Sequence, residues 1–222
     1  MNEQEVLEVL GKVNAVITNS HIVYTSDRHG TAYVNKDAVY PHTKLTSRLC
    51  RKIAEHFAKD DVGVVIGPAV GGIILAQWVA HHLSKITGHE VLAVYAEKTE
   101  NNDIFVIKRG YDKIVVEKKI LVVEDVLTTG GSVKKVVEAT RGCGGNVVGV
   151  GVLCNRGEIT PQDVGDSPKL FALINMKLDM WDEKDCPLCE KDIPINIDVG
   201  KGREYLAKKD SKSNKVEIRG NF

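Results

Sequence analysis

The segment Ile120-Leu-Val-Val-Glu-Asp-Val-Leu-Thr-Thr-Gly-Gly-Ser132 concentrates the chemistry of this chain. Four apolar residues run into the acidic pair Glu124 and Asp125. The small-residue stretch Thr128-Thr129-Gly130-Gly131-Ser132 follows, and an amphipathic segment begins directly after it. This order predicts a buried parallel strand, carboxylates at its C-terminal end, and a loop that opens a helix. Ligands of open α/β sheets bind beyond the carboxyl ends of the strands. Exposed N–H groups at a helix N-terminus receive anions, and glycines let them approach closely. Two carboxylates beside such a site would repel a bare phosphate. They suit a ligand with hydroxyls for the acids and a phosphate for the loop, and a ribose 5-phosphate has both.

Three other segments carry charge or anion-binding potential. Gly67-Pro68-Ala69-Val70-Gly71-Gly72 lies between an apolar strand-like run and a helical pattern, so Gly71 and Gly72 open that helix where free N–H groups can receive a second anion. No Lys-Ser/Thr follows, which excludes a Walker loop, and the spacing is not the dinucleotide Gly-x-Gly-x-x-Gly. Residues 97–113 hold the cations Lys98, Lys108, Arg109 and Lys113 and read as a solvated β-hairpin turning at Asn101-Asn102. Arg156, in Cys154-Asn155-Arg156-Gly157 after a strand, offers a planar guanidinium fork suited to a carboxylate.

The elements that must position these residues follow from periodicity. Asn2 and Glu5 form a helix-start capping pattern, with Val6, Leu10 and Val13 on one face, so residues 3–14 are expected to be helical. Two β-rich stretches, His21–Tyr24 and Thr31–Val34, flank a polar turn. Leu45, Leu49, Ile53 and Phe57 mark a helix over about 43–58. Strands are expected at 61–66, 91–95, 120–123, 146–153 and 170–174, with helices after Gly72 and Ser132. Alternating strands and helices imply an α/β fold with a mostly parallel sheet and helices on both faces. The segment from about 180 on is polar and without clear periodicity, an appendage rather than a second core. Three regions result: an N-terminal helix and hood over 1–42, an α/β core over 43–178, and an appendage over 179–222.

Composition narrows the function classes. The chain has 222 residues, 43% apolar and 27% charged, with thirty basic and thirty acidic side chains. Formal neutrality gives no reason to expect nucleic-acid or anionic-membrane binding. No apolar run is long enough to span a bilayer. The acidic, polar start reads as lacking a signal peptide, and five cysteines do not form a secreted disulfide framework. A cytoplasmic protein is expected. Cys186-Pro-Leu-Cys189 is a lone pair read as reduced structural thiols; zinc there would need ligands completed by the fold or a partner subunit. The seven histidines show no ligand spacing, so no metal-ligating residues are assigned.

The stretch Glu124-Asp-Val-Leu-Thr-Thr-Gly-Gly-Ser132 resembles the phosphoribosyl-pyrophosphate (PRPP) signature of the type I phosphoribosyltransferases, and its two threonines are most similar to the orotate phosphoribosyltransferase form. The resemblance covers roughly residues 20–175. It implies that Glu124 and Asp125 hold the ribose hydroxyls, that Thr128, Thr129, Gly130, Gly131 and Ser132 cradle the 5-phosphate, and that Pro68, Ala69, Val70, Gly71 and Gly72 bind pyrophosphate. It assigns Thr128 and Arg156 to the base, Arg156 against its carboxylate. It makes 97–113 a mobile basic loop that closes over pyrophosphate in the neighbour's site of a homodimer. Lys98, Lys108 and Arg109, with Asp125, are then the catalytic candidates.

Two departures stand out. The family's Arg-Lys-x-x-Lys-x-His-Gly is replaced around Ala96-Glu97-Lys98, with no histidine. In Tyr24-Thr25-Ser26-Asp27-Arg28, Thr25 stands where the family's base-contacting segment has lysine and Asp27 where it has glycine; Lys36 is the candidate for the missing charge. The implied reaction joins orotate to PRPP, giving orotidine 5-monophosphate and pyrophosphate, with Mg²⁺ carried mainly by PRPP. Transfer to another base such as a purine, and a non-catalytic PRPP-sensing regulator, share the signature and stay open. A regulator would need a nucleic-acid-binding module, and the few residues before the first family-like segment cannot hold a winged helix.

Overall fold

The computed structural model describes residues 1, 3–24, 26–99 and 104–217, with side chains described up to 209. The expected capping residue Asn2, the departure at Thr25 and the turn at Asn101-Asn102 lie outside the described residues.

The core is a six-stranded sheet in the order Leu170–Asn175, Asn146–Asn155, Lys119–Leu127, Val64–Pro68, Leu92–Lys98, Phe105–Val106. The first five strands are parallel, and Phe105–Val106 closes one edge antiparallel to Leu92–Lys98. Val64–Pro68 is buried along its whole length, and Ile120 to Asp125 are buried without interruption. Such continuous apolar runs are what strands covered on both faces require. The helices Thr43–Phe57, Gly71–Thr87 and Gly131–Gly142 follow the expected periodicity. Sheet, helices and alternation bear out the expected fold class.

Strand order fixes where a ligand can sit. After Val64–Pro68 the chain moves outward to Leu92–Lys98, then returns to the other side with Lys119–Leu127. The connections leaving these two adjacent strands therefore diverge at their carboxyl ends. That divergence is the switch point where open α/β sheets bind ligands, and the loops 67–72 and 128–132 are the ones that leave from it.

The chain divides into two compact units: Met1–Leu10 with Lys36–Lys177, and Gly11–Asn35 with the chain from Leu178 onward. This differs from the expected division at 42/43 and 178/179. The helix Glu3–Lys12 buries Val6 and Leu10, and the Glu3 carboxylate accepts a hydrogen bond from the Asn175 N–H at 2.6 Å, so its first turns go with the core. Hood and appendage, separated in sequence, share one antiparallel sheet in which His29–Gly30 pairs with both Ile22–Val23 and Met180–Trp181. The appendage also contains the helix Gly202–Glu217. Its polar sequence carries no apolar stripe, which is why periodicity did not reveal it.

Phe57 is fully buried; a side chain on Gly149 of the strand Asn146–Asn155 would collide with its ring, and one on Gly151 would collide with Ile53 and crowd the ring. The ring occupies the space those glycines leave open. Phe57→Ala should therefore lower unfolding stability by about 3–5 kcal/mol, read from urea denaturation. A loss under about 1 kcal/mol would mean the helix does not depend on this contact.

Candidate active site

Glu124 and Asp125 sit at the end of the central strand, 9% and 3% exposed. Backbone donors hold part of their charge: the Asp125 N–H donates to Glu124 Oε1 at 2.9 Å, and the Val126 N–H donates to Asp125 Oδ1 at 2.8 Å. The other Asp125 oxygen, Oδ2, accepts from the Tyr40 hydroxyl at 2.8 Å and forms an ion pair with Lys36 Nζ at 3.0 Å. Burial, and then the charge of Asp125, push the Glu124 pKa well above the usual carboxylate range. Burial and the same carboxylate raise the Tyr40 pKa strongly, so the phenol remains a donor. Burial disfavours the Lys36 ammonium, but Asp125, with Glu124 and Asp37 behind it, outweighs this and raises its pKa.

Lys36, expected at the base, is thus placed on the acidic pair. Tyr40 was not anticipated from the sequence at all. It stands in Tyr40-Pro41-His42 just before a helix, where no motif marks it.

The two anion loops meet at this pair. A Cβ on Gly71 would collide with Asp125 Oδ2 and lie 2.9 Å from the Tyr40 hydroxyl, so only glycine lets the second loop pass so close to the carboxylate. The Ala69 N–H is held by the Ala96 carbonyl at 2.8 Å, and the Ala69–Val70 peptide is cis. Val70 is 77% exposed at the tip. The N-cap residues Val70 and Gly130 make no side-chain cap to the helices Gly71–Thr87 and Gly131–Gly142, and the Gly131 N–H donates a long 3.5 Å bond to the Thr129 hydroxyl. Their leading N–H groups face the loops that precede them.

On the other side of the acids, a cavity of about 130 Å³ is lined by Glu124, Thr128, Thr129, Gly130, Gly131 and Ser132. Gly130 takes φ 73° and caps its helix, a left-handed conformation natural to glycine. The residues expected to cradle a phosphate therefore do surround one cavity, and of the two expected ribose acids Glu124 lies at its wall.

Arg156 follows the neighbouring strand. Its N–H donates to the Leu127 carbonyl at 3.0 Å, and its guanidinium Nε donates to Thr128 Oγ1 at 2.9 Å. The half-buried guanidinium is thereby fixed beside the first residue of the loop.

The basic segment is arranged differently. Arg109 Nε pairs with Glu97 Oε1 at 2.7 Å, with its guanidinium 6.0 Å from the Tyr95 ring centroid, and Lys98 Nζ lies 5.8 Å from the centroid of Phe105. Lys108 is exposed. These cations sit on the sheet-edge hairpin rather than on the acidic pair. Because they are solvated, their pairings are weak and exchangeable.

Two buried, side-by-side carboxylates with a glycine loop on one flank and a helix-opening loop on the other are an arrangement suited to hydroxyl and anionic groups. A family model described as "Phosphoribosyl transferase domain" matches residues 35–184. The chain belongs to that family, the type I phosphoribosyltransferases. It is similar to the orotate phosphoribosyltransferase of Caldanaerobacter subterraneus subsp. tengcongensis, 34% identical over 195 residues that span 88% of this chain and 96% of that protein. The orotate phosphoribosyltransferase of Pelotomaculum thermopropionicum is 38% identical over 194 residues, 87% of this chain and 95% of its own. The fold is shared with a crystal structure of Mycobacterium tuberculosis H37Rv orotate phosphoribosyltransferase in complex with 5-phospho-alpha-D-ribosyl 1-diphosphate. That match has a TM-score of 0.60 and 22% identity, covering 78% of this chain and 96% of that one.

The electrostatics of the pair make a pH-dependent prediction. A carboxyl whose folded pKa is raised favours the folded state fully below its unfolded pKa, and this contribution is lost as pH rises through the folded value. Glu124→Gln removes that loss. Its stability gain over the natural protein should be negligible near about pH 4 and grow as pH rises, levelling off only above the raised pKa. Thermal unfolding midpoints across pH check this; a difference independent of pH would show that Glu124 is not under electrostatic strain.

Proposed function

We propose that this chain transfers the 5-phosphoribosyl group of PRPP to orotate, giving orotidine 5-monophosphate and pyrophosphate, a step of pyrimidine nucleotide synthesis. The observation that carries this reading is the contact of the Gly71 loop with Asp125. It supports one anion loop for each end of PRPP beside one acidic pair, in a chain whose relatives over nearly their full length are orotate phosphoribosyltransferases.

In this reading Glu124 and Asp125 accept hydrogen bonds from the ribose hydroxyls, and the loop Thr128–Ser132 donates N–H groups to the 5-phosphate. Pro68–Gly72 receives pyrophosphate. Orotate is held through its carboxylate by Arg156, which Thr128 orients. A ring nitrogen of the base forms a bond to ribose C1 as the bond from C1 to the pyrophosphate oxygen breaks, with positive charge developing on the sugar. The buried carboxylates favour that charge, and cations of the 97–113 segment favour the charge on the departing pyrophosphate. No covalent intermediate with the protein is needed; the rate comes from positioning and electrostatics. The substrate is PRPP with Mg²⁺ on its own oxygens, a hard cation suited to phosphate and carboxylate donors. All five cysteines are free, and no helix among the described residues is long and apolar enough to cross a membrane. Both fit a reaction in the reducing cytoplasm.

Losing a charge-assisted hydrogen bond costs about 1.5–3 kcal/mol. Asp125→Asn should therefore weaken Mg-PRPP binding by about ten- to over a hundredfold in titration calorimetry, and unchanged affinity would remove Asp125 from the ribose site. Arg156→Ala should lower kcat/KM for orotate by an amount equivalent to about 2–5 kcal/mol, with a much smaller effect on PRPP affinity. Pyrophosphate release with adenine or hypoxanthine but not orotate would reassign the base and leave the transferase reading standing.

The homodimer with shared sites is tested by mixing an Arg156→Ala chain with a Lys98→Ala/Lys108→Ala chain. Random exchange should restore about a quarter of the natural sites. No recovery after confirmed exchange would place loop and site in the same subunit.

A further inference from the structure

Outside the candidate active site, the second compact unit collects four metal-ligating side chains. His21, His29, Cys186 and Cys189 each offer one ligand atom, and these atoms all lie within 4.8 Å of one another. His21 Nε2 is 2.8 Å from His29 Nδ1 and 3.7 Å from each sulfur, and Cys189 Sγ is 3.3 Å from His29 Nδ1. A tetrahedron with metal–sulfur bonds of about 2.3 Å and metal–nitrogen bonds of about 2.0–2.1 Å has edges of about 3.3–3.8 Å. Three of these four separations fall in or close to that range, and a bound ion would spread the two imidazoles by about half an ångström.

We propose that these four residues form a closed, structural zinc site with two thiolate and two imidazole ligands. The donor set selects the metal, since thiolate with imidazole in a tetrahedron suits Zn²⁺ and not the hard cation that travels with phosphates. His21, His29 and Cys186 are buried, so their ligand atoms point into a common interior rather than into solvent. The surroundings orient His21 as metal sites require, while His29 Nε2 is buried without a hydrogen-bond partner among the described residues and its ring is held by packing. His21 Nδ1 is 2.7 Å from the Ile193 carbonyl, which holds the proton on Nδ1 and leaves Nε2 for the ion. The edge of Tyr205 packs on the His29 ring with centroids 5.1 Å apart. Cys186 caps the short helix Pro187–Glu190, and the Glu190 N–H donates to its carbonyl at 3.1 Å, so the Cys-x-x-Cys turn is wound to present both sulfurs to one side.

The ion has a structural task in this unit. The strands Ile22–Val23, His29–Gly30 and Met180–Trp181 are only two residues long each, too short to hold a sheet by themselves. Two ligands come from the N-terminal segment and two from the C-terminal one, so one ion staples segments that are more than 150 residues apart in sequence. Units with so little core generally rely on such a staple.

The test is the zinc content of tag-free, full-length protein purified under reducing conditions without chelator, measured by plasma mass spectrometry. About one zinc per chain is expected, with X-ray absorption showing two sulfur and two nitrogen neighbours at about 2.3 and 2.0 Å. Cobalt exchanged into the site should give intense visible absorption and a thiolate charge-transfer band. The Cys186→Ser/Cys189→Ser chain should lose both signals and retain under about a tenth of the zinc. Should that variant fail to fold, the natural protein alone decides the matter. Less than about a tenth of an equivalent, both as purified and after incubation with Zn²⁺ and desalting, overturns the proposal. So does a metal environment without sulfur.

Discussion

Two neighbouring carboxylates at the end of a buried strand repel each other, and the surrounding site is organised to keep them there. Backbone N–H groups of residues 125 and 126 take two of the oxygens, Tyr40 and Lys36 take a third, and Glu124 remains the member whose charge is least tolerated. Strain of this kind is stored where function needs it. Hydroxyl donors suit such a pair, since a neutral O–H satisfies a carboxylate oxygen without adding charge. The same logic explains Tyr40: burial holds its proton, and it remains a neutral donor where a second cation would over-neutralise the pair.

The sheet supplies the rest. Val64–Pro68 and Lys119–Leu127 are adjacent but their following connections leave in opposite directions, so two helix-opening loops reach the same acids from either side. Each anion loop on its own would be an ordinary turn. Here both border one acidic pair, and the missing side chain of Gly71 lets its loop approach Asp125.

The parallel core was legible because strands covered on both faces must be continuously apolar and because their helices carry clean stripes, as Leu45, Leu49, Ile53 and Phe57 do. The acidic pair and the loop Thr128–Ser132 were legible for a different reason: they fall within nine successive positions, so one local motif holds them. Lys36 and Tyr40 were not, because their role depends on a tertiary contact with Asp125 that no local spacing encodes. The four-residue cluster failed for the same reason on a larger scale. Cys186 and Cys189 form a visible pair, but their companions stand at the opposite end of the chain and eight residues apart from each other, outside any ligand spacing. The two-residue strands of that unit are too short for alternation to register.

The discontinuity of the second unit bears on the order in which the molecule comes into being. Residues 11–35 leave the ribosome early, yet the strand that completes their sheet, Met180–Trp181, is made only after every strand of the core. Because domains fold as units while synthesis proceeds, the nascent N-terminal segment, with only its own short pairings, must wait for its last strand through the translation of the entire α/β core. Its edge at His29–Gly30 is then exposed to neighbouring nascent chains for that whole interval. The same two-residue brevity that weakens this strand in the finished protein leaves a misdirected partner little ladder to hold on to.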